Sequence, residues 1–473
     1  MLVVRTHAEI RKRSVAPAMG LKRAVRALAV GALAVGAIAL SGLPGIGVAP
    51  AVAQQTAVAN ADPEFNTLFQ QSLKRPSDVE LAFRLARRAI EVGDYEAAIG
   101  VYERILFYNP NLVRVKLELA RLYYRLGAYE SARSYFEPIA EAPALTSAER
   151  DNIAAYLVEI SRRLDPNQIT VYAQVGVRYQ SNANYGPSSR LVLGQDLTAL
   201  LPPGATKQAD GNAFALATVR HVYDFGNQRG DVWESNANLY YSQQFQLENL
   251  NLGYAEFNTG PRFALLPDQL PGSSIRAYVI AGGIALGGDS YLGTYGAGVS
   301  LYAPFSMYFA IEPFAEVRQR EYQNSRDYPT ASLQSGDMWT LGANLSGRLT
   351  DASGWRARLA YNNASGDVPW YSYDNFAFDL AVPVEFQGLW GVRRWVAIPS
   401  VGYSRYSYDA PNPYINSFIT QVNDQYRVGL ALDVPVHEQW GLLTQVQYSW
   451  SQSTLPNYAF DNFSVTVGPN VRF

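Results

Sequence analysis

The sequence predicts an α+β multidomain chain: an N-terminal α-helical repeat solenoid followed by a transmembrane antiparallel β-barrel of about fourteen strands. Three observations carry this. A 34-residue repeat with helical spacing lies within residues 77–166. From Gln168 onward the apolar period switches from 3.6 to 2 and stays there. The final strand, 459–473, alternates without a break: Phe463, Val465, Val467, Pro469, Val471 and Phe473 share one face, and Ser464, Thr466, Gly468, Asn470 and Arg472 the other. A soluble protein rarely ends on an exposed aromatic strand, whereas a barrel needs its last strand to pair with its first.

Bulk properties narrow the functional classes. The 473 residues allow two or more domains, and a net charge of −2 gives no field that argues for nucleic acid. Cysteine is absent, which excludes disulfides, thiol catalysis, thiolate-bound metals and a lipoprotein acylation site. His7, His221 and His437 lie far apart, so no histidine metal site is expected. Aromatics reach 13% while mean hydropathy is only −0.11. That combination excludes a bundle of membrane helices and suits strands apolar on one face only.

Residues 1–53 read as a signal peptide. Arg11, Lys12, Arg13, Lys22, Arg23 and Arg26 form a basic region ahead of the uncharged run Ala27–Leu40. Ala51-Val52-Ala53 offers a small-x-small cleavage site, and Met19 is the expected start. Export to the periplasm follows. Residues 54–76 form a mature N-terminal segment without strong signals.

In 77–166, Gly93, Tyr95, Ala98, Tyr102 and Ile105 recur 34 positions later as Gly127, Tyr129, Ala132, Phe136 and Ile139. The alanines permit close helix packing and the glycines a tight turn. Period and pattern resemble the tetratricopeptide repeat. A third helical segment, Ser147 to Leu164, opens with a Thr146/Glu149 capping box and carries Ile153, Tyr156, Leu157 and Ile160 on one stripe. The first helix of each unit is basic, and in such solenoids it lines the concave surface. Arg87 and Ile90 map onto Arg121 and Tyr124, with Arg114 and Arg125 nearby. These six are the expected client-binding residues, suited to an acidic or extended polypeptide; a solvated charged face explains them equally.

The barrel, 167–473, divides into strands at 168–180, 212–222, 231–244, 252–264, 274–285, 289–302, 307–320, 338–349, 354–362, 371–386, 392–407, 424–434, 440–451 and 459–473. The longest connections are odd-numbered (181–211, 321–337, 408–423), and the shortest, 303–306 and 350–353, are even. Long outside and short inside is the barrel pattern, which places the N-terminal region in the periplasm. Pro261, Pro304, Pro383, Pro435 and Pro469 fall in even-numbered strands, most of them toward the expected periplasmic end, where ladders fray. Pro313 and Pro399 predict bulges or shifted strand ends. Arg178, Arg318, Arg348, Arg356, Arg358 and Arg427, with Glu312 and Glu316, are expected to face the lumen. Paired asparagines in 181–184 and 235–238 suit turns and interior hydrogen bonding.

No catalytic constellation, P-loop, zinc pattern or dinucleotide fingerprint occurs, so neither enzymatic activity nor a cofactor is expected. Gly288-Asp289-Ser290-Tyr291-Leu292 only loosely matches an esterase motif and falls in a tight turn.

The order Val113-Arg114-Val115-Lys116-Leu117-Glu118-Leu119, then Gly127-Ala128-Tyr129-Glu130-Ser131-Ala132-Arg133, the helix to Arg162-Arg163, and a first strand ending Ser181-Asn182-Ala183-Asn184-Tyr185-Gly186-Pro187 resembles the Slam family of surface lipoprotein assembly modulators. That resemblance implies a periplasmic tetratricopeptide domain joined to a fourteen-stranded outer-membrane barrel. It implies surface (lipo)protein clients or a periplasmic chaperone as partners, with the barrel forming the path through the bilayer. A polysaccharide-export porin and a passive pore with a periplasmic scaffold are the competing expectations. The terminal Phe473 resembles the assembly signal read by the outer-membrane insertion machinery.

Overall fold

The computed structural model describes residues 62–75, 78–143, 145–227, 229–266, 269–389 and 394–473. The expected signal peptide and its cleavage site lie outside them. A helical unit ends at Pro166 and a barrel begins at Asn167.

Among the described residues, six α-helices build the first unit: α1 Pro63–Lys74, α2 Val79–Glu91, α3 Tyr95–Tyr108, α4 Val113–Arg125, α5 Tyr129–Phe136 and α6 Ser147–Arg163. Asp62, Asp78 and Asp94 cap α1, α2 and α3 through their carboxylates, and Thr146 with Glu149 forms the expected box on α6. Helix α1 lies where sequence reading finds no strong signal. Asp62 as N-cap followed by Pro63 at the first helical position is the feature that marks it. The repeat positions form the core. Ala98 and Ala132 are fully enclosed, Tyr102, Phe136, Ile105 and Ile139 are buried around them, and Gly93 and Gly127 turn the chain at φ 85° and 75°.

The second unit is a closed antiparallel barrel. Its strands are β1 Asn167–Gln180, β2 Asp210–Asp224, β3 Val232–Gln244, β4 Leu252–Ala264, β5 Ser274–Leu286, β6 Asp289–Ser306 and β7 Phe309–Tyr322. They continue as β8 Gly336–Thr350, β9 Ser353–Ala364, β10 Tyr373–Ala381 with Val384–Phe386, β11 Trp395–Tyr408, β12 Val422–Pro435, β13 Trp440–Ser453 and β14 Phe460–Arg472. Each pairs with its sequence neighbours, and β14 pairs with β1 in the register Val177↔Val467 and Tyr172↔Arg472. Phe473 extends the seam: its N–H and C=O each bond Val171 at 3.0 Å.

Two faces separate cleanly. On β14, Asn462, Thr466 and Asn470 are buried while Phe463 and Val467 are exposed. The same parity exposes Val175 and Val177 on β1, Phe257 on β4, Val317 on β7, Leu341 on β8 and Leu430 on β12. An apolar belt around every side of a protein needs an apolar solvent, so the barrel spans a bilayer. Among the described residues no helix is long and apolar enough to cross a membrane. The connections 181–209, 323–335 and 409–421 share one end; the opposite end has the two-residue turns 307–308 and 351–352.

Proline placement corrects two expectations. No bulge forms at Pro313 or Pro399: β8 pairs through Ala343↔Pro313 and β12 through Pro399↔Leu430 without a register shift. β10 instead breaks at Val382–Pro383, beside Pro399, so two missing N–H donors fall in one place. The turn expected at 303–306 also moves. β6 runs on to Ser306 with an irregularity at Pro304, and the chain reverses at Met307–Tyr308.

Two Gly-Pro pairs solve the same problem. At Gly260-Pro261 and Gly468-Pro469 the ladder to one neighbour is interrupted and the backbones crowd together. A Cβ on Gly260 would sit 2.0 Å from Ala277 O, and one on Gly468 2.0 Å from Val175 O. Gly468→Ala should therefore destabilise the barrel by about 1–3 kcal/mol, as forced overpacking does. Gly293→Ala, whose Cβ meets nothing within 4 Å, should shift it by less than about 0.5 kcal/mol. Urea midpoints of the two variants refolded into vesicles compare them directly.

Candidate functional site

Two surfaces collect the polar chemistry: one face of the helical unit and the barrel lumen. Among the described residues no cluster of His, Asp and Glu is arranged to hold a metal. His221 bonds Asn167 at the end of β2, and His437 lies in the turn after β12.

On the helical unit, α2 and α4 bring Arg87 and Arg114 to the Phe83–Tyr102 pair, and Arg121 lies two turns further along α4. The Arg114 guanidinium lies 5.0 Å from the Phe83 ring centroid. Arg87 and Arg114 both act on the buried Tyr102 hydroxyl. Burial, reinforced by Glu118, pushes that phenol up to about 12, and the two arginines oppose the rise. Glu118 is held by Arg121 at 3.1 Å. The face is therefore cationic and aromatic, with one acid already engaged. Arg87, Arg114 and Arg125 are exposed. Arg125 sits in the last turn of α4, where a cation also complements the helix dipole.

The other two expected client residues serve the fold. Ile90 packs against the first core cluster. Tyr124 stands edge-on to Tyr129 and Tyr156 with centroids 5.6 and 4.9 Å away, which fixes α4 to α5 and α6. Sequence reading missed Phe83, whose position one helical turn before Arg87 is the available signal.

In the lumen, parity places all eight expected residues on the inward face. Arg178 donates to Thr466 Oγ1 at 3.1 Å and to Tyr240 OH at 3.3 Å, and covers the Phe214 ring at 5.2 Å. Arg318 bridges Glu256 and Glu316, both at 2.7 Å, and Tyr278 donates to Glu316 at 2.8 Å. Glu312 meets Arg262 at 3.3 Å and accepts from Ser300. Arg427 holds Asp379 at 2.7 Å. Among the described residues, no carboxylate forms an ion pair with Arg348, Arg356 or Arg358 on β8 and β9, and Arg358 donates to Asn344 Oδ1 instead.

Several inward residues were not anticipated. Glu234 is nearly enclosed and joins Arg262 at 2.9 Å and Arg220 at 3.5 Å, while Arg276 donates to the Glu234 carbonyl. Asp433 pairs with Arg472 and accepts from Asn470. The period-two parity of each strand is the signal that finds them. The paired asparagines do both expected jobs. Asn182 ties the 181–209 connection to Gly186 and to the Asp461 carbonyl, and Asn236 joins Glu234 and Asn258 in the lumen.

At the end with the long connections, loop side chains pack onto the strand ends. Tyr328 from 323–335 packs against Leu252, Ile284, Leu286 and Tyr291. Leu193, in a short hairpin of 181–209, packs on Ile415, Leu455 and Tyr458. Lys207 pairs with Asp461 in the same region. These connections are thus anchored to the barrel.

Residues 89–149 match the tetratricopeptide repeat family. The chain therefore joins a tetratricopeptide-repeat region to a closed fourteen-stranded antiparallel β-barrel. No curated protein matches the sequence. Among solved structures, PcrH in complex with the chaperone binding region of PopD shares 21% identity over 21% of this chain and 78% of its own, with a TM-score of 0.20. The anion-selective porin from Comamonas acidovorans shares 8% over 65% of this chain and 99% of its own, with a TM-score of 0.32. A bacterial polysaccharide outer membrane secretin shares 10% over 64% and 98%, with a TM-score of 0.30. Likenesses this weak establish neither family nor function.

Two half-buried carboxylates tune the helical unit. The Arg88 side chain, 2.5 Å from Asp62, holds that carboxyl below its ordinary range, and the Thr146 backbone N–H does the same for Glu149. Both groups bind protons more readily unfolded than folded. Their contribution is therefore full above the ordinary carboxylate range and is lost as pH falls through the folded values. The helical melting temperature should drop between about pH 5 and pH 3. Asp62→Asn should flatten that dependence, read as ellipticity at the helical minimum against temperature.

Proposed function

We propose that this chain is an outer-membrane protein that assists the translocation or surface display of client proteins, typically lipoproteins. The helical repeats lie in the periplasm and bind the client or a chaperone carrying it. The barrel forms or shapes the path, and the role is not catalytic. The observation that carries the reading is the face on which Arg87 and Arg114 gather beside Phe83, with Arg121 two turns further along α4. Exposed guanidiniums next to an aromatic ring suit an acidic, extended polypeptide. An export signal at 1–53 and the apolar belt of the barrel support the placement.

A second reading has its own support. The arginines of the lumen suit a pore for anionic solutes or for a secreted polysaccharide, and in it the helices serve as a scaffold. A deletion strain separates the two. The first reading expects a lipoprotein lost from the protease-accessible surface but retained in the periplasm. Unchanged surface proteins with loss of a matrix polysaccharide contradict it.

The helical face makes a sharper prediction. Arg87→Glu with Arg114→Glu removes two cations and adds two anions on an exposed face. At about 1 kcal/mol or less per exposed pair, client capture should weaken roughly tenfold. In-cell photocrosslinking from Phe83 measures this. Equal crosslinking in the variant and the native chain argues against client capture on this face.

A further inference from the structure

The lumen face of β3 to β7 is balanced at close range. Glu234, Glu256, Glu312 and Glu316 each lie within ion-pair distance of an arginine. The adjoining strands β8 and β9 differ. Their inward positions carry Arg348, Arg356 and Arg358 and no Asp or Glu. The register sets Arg358 across from Asn344 and Arg356 across from Ser346, with Arg348 at the next inward position of β8. Three guanidiniums thus occupy one patch of wall.

The nearest acids are committed elsewhere. Glu316 is held by Arg318 at 2.7 Å and also accepts from Tyr278. Asp379, in register with Arg358, is taken by Arg427 at 2.7 Å. Arg358 rests 4.5 Å from the Phe314 ring centroid and donates to Asn344 Oδ1 at 3.2 Å. Among the described residues, no carboxylate forms an ion pair with any of the three. The patch therefore has spare planar N–H donors and a local excess of positive charge. Such a site favours a bidentate acceptor.

We propose that the inward wall of β8 and β9 is a binding site for carboxylate- or phosphate-bearing anions. It biases the lumen toward anions, as rings of arginine do in other pores. The proposal is independent of what the helical face binds.

The test uses the purified full chain in detergent at low salt, titrated calorimetrically with inorganic pyrophosphate. Binding should occur and weaken as salt rises. The variant with Arg348→Gln, Arg356→Gln and Arg358→Gln should lose affinity by at least about tenfold. Arg405→Gln, which removes an outward arginine paired with Asp424, should leave binding unchanged. A heat-modifiable band on gels checks that each barrel is folded. If the triple variant fails that check, Arg356→Gln alone should show a smaller loss in the same direction. Citrate, titrated in parallel, distinguishes the chemistries: the tighter probe names the preferred anion class. Failure of both probes to bind the native chain, or equal affinity in the folded variants, overturns the proposal.

Discussion

Every backbone N–H and C=O of this barrel must find a partner within the sheet, because the bilayer offers none. That requirement explains closure. A fourteen-stranded sheet with a free edge would leave a row of unpaired groups in hydrocarbon, each costing several kcal/mol. The β1–β14 pairing removes the edge, and Phe473 continues it to the last residue by exchanging two hydrogen bonds with Val171. Prolines are tolerated only where their missing donors do least harm. Pro383 and Pro399 share one interruption. Pro261 and Pro469 each follow a glycine, which lets the strands stay in contact where the ladder opens.

Once the sheet is closed, alternation does the rest. Outward positions contribute apolar surface to lipid, and inward positions must satisfy their own polarity. The lumen answers with arginine–glutamate pairs and tyrosine hydroxyls across β3 to β7, and leaves arginines in excess on β8 and β9. The helical unit obeys a different rule. Its two core clusters depend on Ala98 and Ala132, which bring helices close enough for Tyr102 to pack in one cluster and Phe136 in the other.

Much of this was legible in the sequence because both periods are strong. All fourteen strands, the capping box on α6 and the 34-residue repeat follow from local pattern. What resisted was set by neighbours that local pattern does not contain. The Pro304 region keeps its strand, with a register shift between Pro304 and Ser306, and the turn falls at Met307–Tyr308. Ile90 and Tyr124 mapped onto a groove by repeat position, yet tertiary packing draws them into the fold and leaves Phe83 beside the arginines. Parity puts the eight expected residues on inward positions of their strands. Which of them pair, and which stay unpaired, depends on side chains two and three strands away.

The absence of cysteine offers the most direct measurement of closure. Val177 and Val467 face each other across the β1–β14 seam on the outward side. Paired residues in an antiparallel sheet lie within disulfide reach, about 4.5–5.5 Å between Cα atoms. Oxidation of the Val177→Cys, Val467→Cys chain in membranes should form an intramolecular bond and a faster band on denaturing, non-reducing gels. The displaced pair Val177→Cys, Val471→Cys should not crosslink. Crosslinking of the displaced pair, or none in the first, would contradict a barrel closed in this register.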